Sequence, residues 1–205
     1  MNPAILLKGI ILGFSIAAPV GPIGILCIRR TLNEGMFIGF ASGLGAATAD
    51  AIYGSIAAFG LTVISTFLIK QQLLIHTLGS LFLLYIGWKT LRTIPRADSI
   101  CNAGQSVLMA YASTFLLTIT NPMTILSFTA VFAGLSTGVN QENYNLTILM
   151  VIGIFTGSML WWLLLSSGVN ALRYRFNLVW LQWVNRLAGL IIIGFAFYNF
   201  SQLFF

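Results

Sequence analysis

Acidic side chains are almost missing from this 205-residue chain: there are four, Glu34, Asp50, Asp98 and Glu142, and charged residues of both signs make up only 7% of it. A soluble domain carries about 25% charged residues, so a water-soluble globular fold is excluded. Ten Lys and Arg leave a net charge of +6. In so apolar a chain that excess reports membrane orientation rather than a nucleic-acid footprint, and no nucleic-acid partner is expected. Cysteine is scarce too. Cys27 and Cys101 form no C-x-x-C pair, which excludes a disulfide framework and a thiolate metal cage. The single histidine, His76, has no second histidine or acid cluster at ligand spacing, so no metal and no cofactor is expected. No basic stretch precedes the first apolar run, and that run is too long for a cleavable signal peptide.

What the chain does contain is hydrophobic: 58% of its residues, with a mean hydropathy of +0.94. About 20 apolar residues cross a bilayer as a helix. On that measure six spans are expected, at about 3–28, 36–62, 72–91, 108–135, 145–169 and 180–203. The fold class is therefore an all-α polytopic membrane protein, a single transmembrane domain over 1–205. The longest connector, 92–107, divides it into a first three-helix half, 1–91, and a second, 108–205.

Basic residues set the orientation. Arg29, Arg30, Lys89, Arg92, Arg96, Arg173, Arg175 and Arg186 fall in or near the odd-numbered connectors, against only Lys8 and Lys70 on the other side. This places the odd connectors in the cytoplasm and both termini outside. The halves also resemble each other. Gly45, Thr48, Asp50 and Tyr53 can be laid on Gly153, Thr156, Ser158 and Trp161; Gly87 falls on Gly194, and Pro22 on Pro122. Because each half has an odd number of spans, the second inserts upside down, giving two inverted repeats. Small residues at helix-contact spacing, Gly9 with Gly13 and Gly153 with Gly157, suit packing within one bundle, and a homo-oligomer stays possible.

Two spans are interrupted. Ser15-Ile-Ala-Ala-Pro19-Val-Gly21-Pro22 breaks the first and Thr120-Asn121-Pro122-Met123 the fourth. Proline lacks an N–H, so Pro19, Pro22 and Pro122 free the carbonyls of Ser15, Ala18 and Thr118. In hydrocarbon such backbone survives only where protein or a water-filled cavity surrounds it. Paired breaks in matching positions of two halves point to a transporter's binding site. Asp50, the one acid inside a span, adds the chemistry. A mid-bilayer charge costs at least ~2.5–3.5 kcal/mol and normally faces a cavity. Such a carboxyl can hold either a proton or a substrate ammonium, so Asp50 is the expected proton-coupling group. The candidate substrate site comprises Asp50, Tyr53, Ser15, Pro19, Gly21, Pro22, Asn121, Pro122 and Ser158. Trp161 and Trp162 lie too deep for an interfacial belt and can wall the cavity.

Pro19-Val-Gly-Pro22, the stretch Gly45 to Tyr53, Tyr85-Ile-Gly-Trp-Lys89 and Asn121-Pro122 together resemble the lysine-exporter (LysE-type) family of bacterial amino-acid efflux proteins. The resemblance spans almost the whole chain. It implies a bacterial inner-membrane protein, not an enzyme, that exports amino acids or related small zwitterions against an inward flow of protons. Many members carry lysine after the Asn-Pro pair, where this chain has Met123. Two rival functions are a metal-ion exporter, which wants thiolate or imidazole ligands that the spans scarcely offer, and a transmembrane thiol oxidoreductase, which wants paired cysteines.

Overall fold

The computed structural model describes residues 3–19, 21–59, 71–92, 107–121, 124, 127–128, 144–173 and 178–201. Among these the structure is helical throughout. Seven helices follow in order: α1 Pro3–Ala17, α2 Pro22–Glu34, α3 Met36–Ala58, α4 Gln72–Leu91, α5 Val107–Ile119, α6 Tyr144–Leu172 and α7 Leu178–Ser201. Helices α3, α6 and α7 are long and apolar enough to cross a membrane, and α1 with α2 makes a fourth span if the pair counts as one broken helix. Large apolar side chains face outward, on α4 at Leu74, Leu78, Leu81, Tyr85 and Trp88 and on α7 at Val179, Trp183, Leu187 and Leu190. In water these stripes would be a liability; in lipid they are the natural outer surface.

The first span is not the straight rod that a run over 3–28 suggests. Helix α1 stops at Ala17, and α2 leaves at 83° to it. Pro22 occupies the first position of α2, with extended Gly21 as its cap. There the missing proline N–H costs nothing, because the first N–H groups of a helix have no internal acceptor anyway. Helix α2 also runs past the expected end of the span, as far as Glu34, so Arg29 and Arg30 are helical and buried rather than part of a loop. Gly35 alone joins α2 to α3, at φ 101°, a left-handed conformation that glycine takes without strain. Its N–H closes α2 by donating to the Thr31 carbonyl.

Glycines allow the closest approaches. A Cβ on Gly13 would fall onto the Ile154 carbonyl, and one on Gly157 onto that of Ile10, so α1 and α6 touch backbone to backbone. Gly45 lies likewise against the Tyr111 carbonyl between α3 and α5, and Gly87 and Gly189 face each other between α4 and α7. The direction of each pair follows from its contacts. Along α1 and α6 residue numbers rise together, from Gly9 beside Gly153 to Phe14 against Trp161. Along α3 and α5 they do so from Gly45 beside Tyr111 to Tyr53 at Ile119. Both pairs are parallel. Helices α3 and α6 are antiparallel, with Gly43 at Trp162, Asp50 at Ser158 and Gly54 at Ile154. So are α4 and α7, with Gly87 at Ile193 and Leu91 at Gly189.

Candidate binding site

A cavity of about 380 Å³ lies where the α1–α2 break meets α3, α5, α6 and α7. Its wall is mostly apolar, with Ile16, Ala17, Ala46 and Phe195 among the lining residues. The polar groups are few: a carboxyl from Asp50, the first turn of α2, the indole of Trp162, and hydroxyl or amide groups from Thr118, Asn121, Thr124, Ser127 and Tyr198. No basic side chain is among the described lining residues.

Asp50 sits in the middle of α3 and is only 4% exposed. Its Oδ2 accepts a hydrogen bond from the Ser158 hydroxyl at 2.7 Å, and that hydroxyl accepts one from the Trp162 indole N–H at 3.2 Å. An indole can only donate, so the Trp162 bond leaves the serine proton free to point at Asp50. The relay fixes one carboxylate oxygen and leaves the other for a ligand. Asp50 and Ser158 are also the residues that the sequence alignment of the two halves placed opposite each other.

Across the cavity stands the start of α2. Pro22 has no N–H, and the N–H of Ile25 already donates to the Gly21 carbonyl at 3.1 Å. The N–H groups of Ile23 and Gly24, both cavity-lining residues, therefore have no acceptor within the helix. They carry the positive end of its dipole. A carboxylate is the ligand such a helix start favours, and an ammonium is the ligand Asp50 favours.

Pro19, Gly21, Pro22 and Asn121 line the cavity with Asp50, and Ser158 reaches it through the Asp50 carboxyl. Two expected site residues do not. Ser15 lies on the exposed side of α1, because the helix turns the hydroxyl away from the break one turn before it begins. Tyr53 is buried between α3 and α5, where its hydroxyl donates to the Ile119 carbonyl and its ring packs against Phe128. It holds the end of α5 instead of lining the cavity. Pro122, Met123 and Cys101 lie outside the described residues, as does the side chain of His76. The Thr118 carbonyl that Pro122 was expected to free accepts the Asn121 N–H at 3.1 Å. Trp162 lines the cavity, whereas Trp161 packs edge-on against Phe14 at 5.2 Å.

Sequence reasoning missed Phe195 and Tyr198, which reach the cavity from α7, and it misread the arginine pair. Arg29 and Arg30 are 8% and 3% exposed. The Arg30 guanidinium donates to the hydroxyls of Ser42, Ser113 and Thr114, each at 2.8 Å, and to the Ala110 carbonyl at 3.0 Å. Arg29 donates to Asn185 and to Thr90, both at 3.2 Å. The available signal was the lack of any glycine or proline between Ile28 and Gly35. Among the described residues no group of three or more His, Cys, Asp or Glu is placed to hold a metal, and Cys27 is a buried free thiol.

The family described as LysE type translocator matches the chain over residues 14–202. A Bacillus subtilis (strain 168) protein named "Putative amino acid efflux protein YcgF" is 29% identical over 198 residues, covering 95% of this chain and 94% of that protein. An Escherichia coli (strain K12) protein named "Uncharacterized membrane protein YahN" is 29% identical over 174 residues, covering 82% of this chain and 77% of that protein. No solved structure matches the chain significantly.

Proposed function

The chain belongs to the LysE type translocator family, and on that premise we propose that it is a secondary transporter that exports neutral amino acids or similar small zwitterions from a bacterial cytoplasm by proton antiport. The observation that carries this reading is one carboxyl, Asp50, sharing a cavity with a helix start that offers free N–H groups. The α-ammonium of the substrate binds Asp50, and its α-carboxylate binds the Ile23 and Gly24 N–H groups. The apolar wall, with no second acid or base among its described residues, suits an uncharged side chain. A lysine-like substrate would bring a second ammonium with no matching group. The similarity to a protein named for amino acid efflux points the same way.

Transport follows from competition. A proton and a substrate ammonium both neutralise the Asp50 carboxylate, so each displaces the other, and the proton gradient drives the amino acid outward. Alternating exposure comes from a six-span arrangement of two inverted halves rocking about the central site. The helix pairs support it. Exchanging the halves turns the parallel pair α1–α6 into the parallel pair α5–α3, and turns the antiparallel pairs α3–α6 and α4–α7 into themselves. Asp50 and Ser158 meet where α3 and α6 cross, as equivalent positions do next to a two-fold axis. The protein sits in the inner membrane, with both termini outside and the basic residues facing the cytoplasm.

The test is uptake into inverted vesicles. A panel of labelled amino acids is supplied with and without an imposed proton gradient. Gradient-dependent accumulation of neutral amino acids is the expected result. Accumulation of none of them, or accumulation indifferent to the gradient, overturns the proposal.

A further inference from the structure

We propose that Arg29 and Arg30 latch α2 shut across the basic end of the bundle, and that breaking this latch is the step that opens the cavity toward that end. The inference rests on the transport reading above, since a latch matters only if the cavity must open on two sides.

The cavity and the arginines occupy different levels of the same bundle. The cavity takes Thr118 and Asn121 from the far end of α5, and Phe195 and Tyr198 from the last part of α7. The partners of the arginines come from the opposite end: Ser42 near the start of α3, Ala110, Ser113 and Thr114 early in α5, Asn185 early in α7 and Thr90 at the end of α4. Helix α6 joins from its own end, where Arg173 donates to the carbonyls of Leu32 at 2.8 Å and Asn33 at 3.2 Å. Asn33 adds a bond to Asn185 at 2.8 Å. The last two turns of α2 are thus tied to every helix from α3 to α7, while its first turn lines the cavity. One rigid element of 13 residues, about 20 Å long, reaches from the substrate to the seal.

Its two ends are built to move. Before α2 the preceding helix ends at Ala17, at 83° to α2, and after α2 one glycine at φ 101° makes the joint to α3. Short joints of this kind absorb the torsion changes of a rigid-body motion. The chemistry of the latch also suits reversal. Every hydrogen-bond partner of Arg30 is neutral, and its Nε has none. Releasing Arg30 breaks hydrogen bonds to neutral groups only, and the freed cation sits at the end of the bundle rich in basic residues, beside the Glu34 carboxyl and where water would receive it. A bond serving stability alone gains little from a buried charge, because well-packed apolar replacements are often as stable.

Cys27, fully buried one turn before Arg30, reports on the seal. With Cys101→Ser it is the sole thiol. A membrane-impermeant maleimide is added to inverted and to right-side-out vesicles, and the labelling rate is read on each. The expected result is that Arg30→Gln, and separately Ser42→Ala with Thr114→Val, speeds labelling at least ten-fold in inverted vesicles and leaves the right-side-out rate unchanged. Equal acceleration from both faces with a lowered thermal midpoint means general loosening and overturns the proposal, as does no acceleration in either variant. Labelling needs no substrate, so the two readings fail separately. Normal efflux with a silent Cys27 rejects the latch alone. One-sided labelling without efflux of any amino acid rejects the transport reading alone.

Discussion

Replacing Asp50 by asparagine isolates the charge. Asparagine has nearly the same volume, and its side-chain oxygen still accepts the Ser158 hydroxyl that now lies 2.7 Å from Oδ2, so insertion and thermal stability hold. What disappears is the attraction for a substrate ammonium. At about 4 Å and an effective dielectric of about 20 that attraction is about 4 kcal/mol. Part of it is offset by stripping water from the ammonium, so a net loss of about 2–4 kcal/mol is expected, in the range measured on truncating one partner of a buried charge pair. At about 1.4 kcal/mol per factor of ten, apparent affinity falls about 30- to 700-fold. The amide also takes up no proton in the physiological range, so gradient coupling is lost with binding. The assay is uptake of a transported amino acid into inverted vesicles over a series of concentrations and pH values. Asp50→Glu, run beside it, keeps part of the activity with an altered pH profile. If Asp50→Asn still concentrates substrate with wild-type affinity and pH dependence, the carboxyl is structural and coupling lies elsewhere.

Ser158→Ala removes the donor to Asp50 and the acceptor of the Trp162 indole; at about 0.6–1.7 kcal/mol for a hydrogen bond between membrane helices, apparent affinity should fall about 3- to 16-fold, and an unchanged value refutes the relay. Gly157→Ala pushes a methyl into the Ile10 backbone, whereas Gly194 has nothing within 4 Å of an added Cβ. Thermal unfolding in detergent should therefore show a loss of about 1–3 kcal/mol for the first and almost none for Gly194→Ala; equal effects refute the α1–α6 packing. A periplasm-active reporter fused after Phe205 should be active and one fused after Asp98 silent; the reverse pattern refutes the termini-out topology.

The sequence alone determined that the chain is helical and apolar, and that Asp50 is the one acid inside an apolar span. Each of these is a local quantity. Hydropathy sums along one stretch, the cost of a buried charge attaches to one residue, and a proline removes its own N–H whatever packs nearby. Pro19, Gly21, Pro22 and Asn121 were legible as cavity-lining residues from the breaks they belong to. Tertiary structure alone decided what each break becomes and which way side chains point. Pro22 starts a new helix at 83° to α1 rather than kinking one rod. Ser15 faces out and Tyr53 caps α5, although both lie close in sequence to residues of the cavity. Phe195 and Tyr198 enter from a helix some 145 residues after Asp50, and no periodicity within α7 distinguishes a face turned to a cavity from one turned to lipid when both are apolar. The arginine pair shows the limit most plainly. By composition two adjacent cations after an apolar run belong in water. They are buried here because Ser42, Thr90, Ser113, Thr114 and Asn185, contributed by four separate helices, converge around them, and only the folded bundle brings those partners together.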